Sequence, residues 1–396
     1  MYFLKIAVLL VSTYLACSIE VSAGVEEHDV ASLNEFKVAR ERVRGLLVVP
    51  GVGRSDRLGI LMQSLRLLYP YLKGEQAKWD CVVYVYAPRS DEAFWGDNKV
   101  KTSLKYVSSV CDVVEHPNKR ITENLRAVQP ALIRRTYTHV FVLFDDCKLV
   151  PSTKEALTWD LDGLLDVMTY NRMSMVSPRV ENANKGGGQD WRKIMYAEPV
   201  EGIEGYATKF VEMFAWIMTV ESFEWLWELL IPSVNPYGWG YDIWYDGYAK
   251  HRAVDGRHKM GIVTSFTSTH YQSLDENDNG KQGKTTGRAE SATTEAKWKA
   301  KLDQEKYFKR SYGYDLKAAS LELKNHKWNG AVIGYIHPVP VDFREAASAS
   351  REVVKEPGRG GRPKNGFGRK SKGGPKGRRG PGSRKRAATG DNIDER

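Results

Sequence analysis

An alternation of buried-strand and helix patterns constrains the fold of this chain more than any other feature. Gly45–Pro50 has the sequence GLLVVP, which predicts a strand buried on both faces, and a glycine turn follows it. Residues 55–72 then carry leucines at helical spacing. Further strands are expected at 81–87, 110–115, 140–144 and 173–178, with a helix over 121–135. The alternation predicts an α/β fold: a mixed, mainly parallel, Rossmann-like sheet with helices on both faces.

Two adjacent carboxylates, Asp145 and Asp146, end the apolar run Val140–Phe144. Such neighbours repel each other unless a positive charge lies between them. A divalent cation that also binds a phosphorylated donor would supply that charge, since Mg2+ or Mn2+ takes a few carboxylates together with substrate phosphates. The other interpretation is that the pair opens a turn, which aspartate favours.

The glycine turn at residues 51–53 precedes a helix start with two arginines, Arg54 and Arg57. It lacks the third glycine of a dinucleotide fingerprint. A strand, a glycine turn and a helix N-terminus still form a place that receives phosphate or nucleotide. Arg54 and Arg57 are therefore candidate donor contacts, and their alternative role is a solvated helix start.

A second cluster has the sequence NPYGWGYDIWYDGYAK, from Asn235 to Lys250. Its proline and glycines predict a tight, exposed turn that presents Trp239. Asp242 is expected to open a helix, where a carboxylate satisfies free N–H groups. The functional alternative has Trp239, with Tyr241 beside it, contacting an acceptor sugar while Asp242 takes a proton from the acceptor hydroxyl.

In their order along residues 44–272, these pieces resemble the GT-A superfamily of nucleotide-sugar glycosyltransferases. The match consists of the early strand, glycine turn and helix, then FVLFDDC at the place of the family's DxD metal motif, then GWGYD, and finally a strand over 261–269 that ends at His270. The segment from Phe210 to Asp242 also resembles domain-of-unknown-function family 707.

The resemblance implies a metal-dependent glycosyltransferase. Mn2+ or Mg2+ would be held by Asp145, Asp146 and His270, and it would bridge the diphosphate of a nucleotide-sugar donor. Arg54, Arg57 and Asp145 would contact that donor. Asp242 would act as base on a glycan or glycoprotein acceptor, or would orient the acceptor in a retaining reaction.

Cys147 departs from the motif, because a standard DxD has an acid at this position. A catalytically inactive GT-A domain that binds glycans or acts as a scaffold is therefore the alternative function. Participation of Cys147 in the site would favour a softer metal such as Zn2+.

The remaining cysteines and the N-terminus indicate the compartment. Residues 1–23 have a lysine, a short apolar run and small residues, which predicts a secretory signal peptide or else a short membrane anchor. Both place the rest of the chain in the secretory pathway, in the Golgi lumen or secreted. Cys81 and Cys111 each begin a strand pattern, so they are either bridged or two separate buried thiols.

The net charge of +10 comes from the C-terminal tail. Residues 351–396 contain fifteen Lys and Arg against five Asp and Glu, with abundant glycine and proline, so we expect disorder. The tail either holds a polyanion or has no fixed partner. The neutral remainder and the leader argue against specific nucleic-acid binding. The expected organisation is 1–23 leader, 40–275 catalytic domain, 276–345 helical extension and 346–396 tail.

Overall fold

In the computed structural model, the structure describes residues 30–74, 77–153, 156–182, 198–211, 214–254, 257–271, 294–319 and 331–353. The expected leader (1–23), residues 183–197 and the tail beyond residue 353 lie outside the described residues. No helix of the described part is long and apolar enough to cross a membrane.

In those ranges ten strands form one sheet. They are β1 Gly45–Val52, β2 Trp79–Val85, β3 Asp112–Glu115, β4 His139–Leu143, β5 Cys147–Val150, β6 Met175–Asn182, β7 Gly205–Thr208, β8 Ala215–Thr219, β9 Met260–His270 and β10 Val332–Ile336. Their order is β10-β7-β9-β6-β8-β4-β1-β2-β3, and β5 pairs with β9. The side β4-β1-β2-β3 is parallel, β6 and β9 are parallel, and the other pairings are antiparallel.

Twelve helices accompany the sheet in the described residues. They are α1 Leu33–Glu41, α2 Ser55–Leu72, α3 Glu92–Trp95, α4 Asn98–Val110, α5 Ile121–Ala127, α6 Pro130–Ile133, α7 Leu161–Tyr170, α8 Val220–Leu229, α9 Tyr241–Arg252, α10 Thr294–Tyr312, α11 Leu316–Ala319 and α12 Val341–Val353. Helix α12 continues into the first residues of the segment expected to be a tail.

The core has two parts, one on each face of the sheet. Along β4, Phe141 and Leu143 belong to one buried cluster with the leucines of α2, whereas Val140 and Val142 belong to the other with α8 and α9. Alternate side chains of a strand point to opposite faces, so both faces of β4 are covered. The expected α/β fold, with helices on both faces of a mixed sheet, is confirmed.

A disulfide joins Cys81 to Cys111. Strands β2 and β3 are parallel neighbours with Val82 opposite Asp112, so the two cysteines lie next to each other just before this register begins. Of the two alternatives left open by the sequence, the structure has the bridge.

Candidate functional site

The candidate site lies where the parallel strands β1, β2 and β4 end. Gly53 directly follows β1, Tyr86 directly follows β2, and Asp145 is the second residue after β4. Carboxyl ends of parallel strands meet at one edge of a sheet, which is where ligands bind in open α/β folds. The topology therefore brings the glycine turn and the acidic pair together.

Arg57 forms an ion pair with both carboxylates of the acidic pair. Its Nη1 is 3.5 Å from Asp145 Oδ1 and 3.3 Å from Asp146 Oδ2. Both aspartates are buried, with exposed fractions of 4% and 8%. The positive charge that adjacent carboxylates require is supplied here by a guanidinium from the first turn of α2.

The two aspartates have pKa values shifted in opposite directions. Burial raises the pKa of Asp145, and the charge of Asp146 adds to this against the opposing attraction of Arg57. Burial acts in the same way on Asp146, but hydrogen bonding to His270 and the charge of Arg57 outweigh it and leave the pKa of Asp146 lowered. The two groups thus share their charge unequally, as close carboxylates do.

His270 lies beside Asp146, as the resemblance implied. Strand β5 pairs antiparallel with β9, and this register puts Cys147 opposite His270. His270 Nε2 is 3.6 Å from Asp146 Oδ2. The imidazole stacks on the ring of Phe214, with centroids 3.9 Å apart, and this contact fixes the ring plane.

The donor types at this position fit a divalent cation. Asp145 Oδ2 and Asp146 Oδ1 are buried and have no hydrogen-bond partner, so each retains capacity for a ligand bond. Carboxylate and imidazole suit Mn2+. In the described part of the chain, however, no group of three or more His, Cys, Asp or Glu is spaced to hold a metal ion. Asp146 Oδ2 lies 3.6 Å from His270 Nε2 and 3.3 Å from Arg57 Nη1, so the guanidinium shares this carboxylate with the imidazole.

Cys147 does not belong to the site chemically. Its side chain is fully buried in the core, and burial raises the pKa of the thiol to about 12 despite a hydrogen bond with Ser268. The thiol therefore stays protonated at neutral pH in the absence of a metal. Its carbonyl accepts a hydrogen bond from Ser64 Oγ at 3.4 Å, and the same hydroxyl accepts from Leu149 N–H at 3.0 Å.

Tyr86 is a site residue that the sequence reasoning missed. Its ring covers the glycine turn so closely that a Cβ at Gly53 would lie 2.2 Å from Tyr86 Cε2. Burial raises the pKa of the phenol to about 12, and the charge of Asp145 adds to this. The signal was present, because Tyr86 is the last residue but one of the strand predicted at 81–87.

Arg54 is engaged by a neighbour on its own helix. Its Nε and Nη2 donate to the two carboxylate oxygens of Asp56, at 3.0 Å and 2.8 Å. Arg54 thus lies at the predicted helix start, where its guanidinium fork binds Asp56 and its charge also acts on Asp145.

The loop at 236–240 is the tight turn expected from its glycines. Gly238 and Gly240 have φ values of 76° and 93°, in the left-handed region that favours glycine. Trp239 between them is half-buried, and its carbonyl accepts a hydrogen bond from Asn235 Nδ2 at 2.8 Å.

Asp242 lies in the first turn of α9, as predicted. Its Oδ1 accepts a hydrogen bond from the Ile243 N–H at 3.0 Å. Burial raises its pKa to about 6, against the opposing effects of backbone hydrogen bonds and of the Lys301 charge. A carboxylate with such a pKa is still mainly ionised at neutral pH and is suited to accept a proton.

Tyr241 is a correction to the expected acceptor contacts. Its side chain is fully buried, and its hydroxyl donates to the Asn235 carbonyl at 3.2 Å. The ring packs in the core with other buried residues of α9, such as Trp244 and Tyr245, instead of facing an acceptor.

Helix α5 connects the two clusters. Thr122 Oγ1 donates to the Pro236 carbonyl at 2.9 Å, and Asn124 Nδ2 donates to the Pro50 carbonyl at 2.8 Å. The loop at residues 236–240, here called the tryptophan loop, is thereby attached to the end of β1, the strand that leads into the glycine turn. Both clusters consequently lie at the same edge of the sheet.

Comparisons with known proteins give fold-level similarities to solved structures. No protein-family model and no curated protein matches the chain, so the resemblance to family 707 gains no support. A structure of GalNAc-T7 with UDP, GalNAc and Mn2+ is 11% identical with a TM-score of 0.42, and the match covers 73% of this chain and 55% of that chain. This chain thus spans about half the length of that structure.

Two further solved structures match at similarly low identity. UDP-glucose pyrophosphorylase complexed with UDP-glucose is 12% identical, with 57% of this chain and 91% of that chain covered and a TM-score of 0.33. A putative nucleotide-diphospho-sugar transferase from Desulfovibrio desulfuricans G20 is 11% identical, with 70% and 94% covered and a TM-score of 0.28.

Proposed function

We propose that this protein is a glycosyltransferase that moves a sugar from a nucleotide-sugar donor to a glycan or glycoprotein acceptor. The observation that carries the proposal is the meeting of Arg57, Asp145, Asp146 and His270 at the carboxyl edge of the parallel strands. An aromatic loop with a carboxylate of raised pKa adjoins the same edge. A donor site beside an acceptor site is what group transfer between two sugars requires.

The donor half of the site is built from α2 and the strand ends. Arg57 offers a guanidinium whose planar fork suits phosphate oxygens. The ring of Tyr86 lies next to it over the glycine turn and provides an aromatic face for a base. Asp146 and His270 would hold a divalent cation, which when bound supplies positive charge to a diphosphate leaving group.

The acceptor half is the tryptophan loop with the start of α9. Trp239 presents an aromatic ring to the acceptor sugar, while Asp242 accepts the proton of the attacking hydroxyl in an inverting displacement. In a retaining reaction Asp242 would orient the acceptor instead. With a pKa of about 6, Asp242 carries the charge that a base needs at neutral pH.

A catalytically inactive glycan-binding protein is the second candidate. Two observations favour it: Arg57 already pairs with both carboxylates, and the buried Cys147 stands where a standard DxD motif has its second acid. Such a protein would retain the acceptor surface without turning over a donor.

The secretory pathway is the proposed location, in the Golgi lumen or outside the cell. The disulfide Cys81–Cys111 supports it, since structural disulfides persist in oxidising compartments and are rare in the cytosol. The leader expected at residues 1–23 is the other support.

Hydrolysis of UDP-sugars tests the enzyme. The purified protein is incubated with UDP-hexoses and UDP-N-acetylhexosamines, with and without Mn2+, and released UDP is measured. We expect turnover of at least one donor and a loss of about 100-fold or more in Asp146→Asn. Asp112→Asn, on exposed β3, is the matched control and should keep full activity. A folded protein that releases no UDP and binds no Mn2+ would contradict the proposal and favour the inactive alternative.

A further inference from the structure

We propose that the acceptor of this site is an anionic glycan, recognised by an aromatic and cationic surface formed by the tryptophan loop and the first two turns of α10. This acceptor platform comprises Trp239, Lys297, Trp298 and Lys301. The proposal rests on the proposed function, because it names the class of acceptor that the same site receives.

The aromatic half of the acceptor platform consists of two tryptophans at a right angle. The ring centroids of Trp239 and Trp298 are 5.6 Å apart, with an interplanar angle of 77°. Trp298 is 48% exposed and Trp239 is half-buried, so both rings reach the surface. Two perpendicular rings leave an open corner that a sugar ring can enter with its C–H face against one indole.

The cationic half comes from two lysines one helical turn apart. Lys297 Nζ lies 5.5 Å from the centroid of the Trp239 ring, and Lys301 Nζ lies 5.5 Å from that of Trp298. Each ammonium group therefore stands over one of the two rings. A sugar seated on the aromatic corner would meet both positive charges.

The two lysines differ in their own partners. Lys301 is paired with Glu305 at 2.6 Å, and both side chains are nearly buried, so this pair fixes the position of the Lys301 stem. Lys297 has no ion pair with any residue of the described ranges. Its charge is the one that an anionic ligand would neutralise.

The position of Lys297 in α10 is unfavourable for the helix itself. It lies in the first turn, where the helix dipole is positive and destabilises a cation. The same end of a helix stabilises an anion. A carboxylate or sulfate beside Lys297 would therefore gain from the lysine and from the helix end together.

The acceptor platform adjoins the candidate base. A Cβ at Gly240 would lie 3.2 Å from Lys301 Cγ, so the loop backbone packs on the lysine stem. The charge of Lys301 also acts on Asp242. A sugar held between Trp239 and Trp298 therefore has its hydroxyls near the carboxylate that would take their proton.

Binding of short saccharides to the full chain tests this inference. Affinity is measured by isothermal titration calorimetry for three tetrasaccharides: one containing glucuronate, the same compound with its carboxyls reduced to alcohols, and one carrying sulfate in place of carboxylate. Short ligands are used because a long polyanion would also report on the basic tail. We expect the charged compounds to bind about tenfold more tightly than the reduced one, as a charge-assisted hydrogen bond provides.

Variants separate the acceptor platform from other cationic surfaces. Lys297→Gln should remove the tenfold preference for charge, and Trp298→Ala should weaken binding of charged and neutral compounds alike. Lys299→Gln is the matched control: it lies on the same helix, is exposed and already pairs with Asp303 at 2.7 Å, so the preference should remain.

Two results would overturn the inference. One is equal affinity for the charged and reduced compounds, and the other is a preference for charge that survives in Lys297→Gln. Charge-selective binding without any release of UDP from a donor would instead retain the inference and refute the transferase, leaving a protein that binds anionic glycans.

Discussion

The guanidinium of Arg57 supplies the positive charge that offsets the repulsion between the adjacent carboxylates of Asp145 and Asp146. The sequence predicted the position of the aspartates, because an unbroken apolar run before them has to end where the strand leaves the core. It did not predict the ion pair with Arg57. That contact joins the first turn of a helix to a distant strand end, and no local pattern encodes which side chain crosses the gap.

Asp242 should impose a pH dependence on transfer. Its pKa is raised to about 6, and a base acts only when deprotonated, so kcat/KM should rise with pH up to about 6 and be roughly tenfold lower at pH 5. The measurement is kcat/KM from pH 4.5 to 8 with saturating donor. Asp242→Asn should lose about 100-fold or more and show no such limb.

Lys301→Gln provides a directional check of this assignment. The lysine charge lowers the pKa of Asp242 in the intact protein, so removing it should move the acidic limb to higher pH. A limb that stays in place in Lys301→Gln, or one that persists in Asp242→Asn, would assign the titration to a different group.

At the scale of elements, the spacing of apolar residues predicted the helices whose pattern repeats over several turns. Helix α2 has the expected bounds, Ser55–Leu72, because its leucines repeat over the whole length. The single helix expected over 121–135 is instead α5 and α6, since Pro130 lacks the N–H that would continue α5 and begins a new helix. Strand β5, four residues long directly after the acidic pair, has too few positions for a period to be recognised.

The disulfide should be the strongest single constraint on the β2–β3 region. Cys81 and Cys111 are separated by 30 residues, and closing a loop of that size stabilises the folded state by about 3 to 4 kcal/mol in the loop-entropy model. Cys81→Ser with Cys111→Ser should therefore lower the free energy of unfolding by about this amount, measured by urea denaturation. Dithiothreitol should produce a similar loss in the unmodified protein and no further change in the double variant.

At the scale of the whole molecule, the charge is divided between a balanced folded part and a basic C-terminal segment. The excess of Lys and Arg lies in residues 351–396, and the remainder has equal numbers of each sign. Composition alone shows this division. The order of the strands determines which residues meet at one edge of the sheet. That order includes the pairing of β5 with β9, which no sequence pattern predicted.

Removal of residues 354–396 tests the role of that segment. Affinity for heparin should fall strongly, and its dependence on salt should flatten, since fewer counterions are released. Release of UDP from a donor should persist. A full-length variant with the Lys and Arg of the segment changed to Gln should behave like the truncation, and unchanged heparin affinity in both would place polyanion binding elsewhere.

The hydroxyl of Ser64 on α2 hydrogen-bonds with the main chain of Cys147 and Leu149 on β5, and it thereby joins α2 to the strand that follows the acidic pair. Arg57 lies on α2, and the two carboxylates lie directly before β5, so they are on the two sides of this contact. If α2 moved along the sheet, β5 would move with it. The distance from the Arg57 guanidinium to the two carboxylates would then change less than other distances. Under the proposed function, the donor half of the site would therefore be preformed, and the tryptophan loop would be the part that adapts to different sugars.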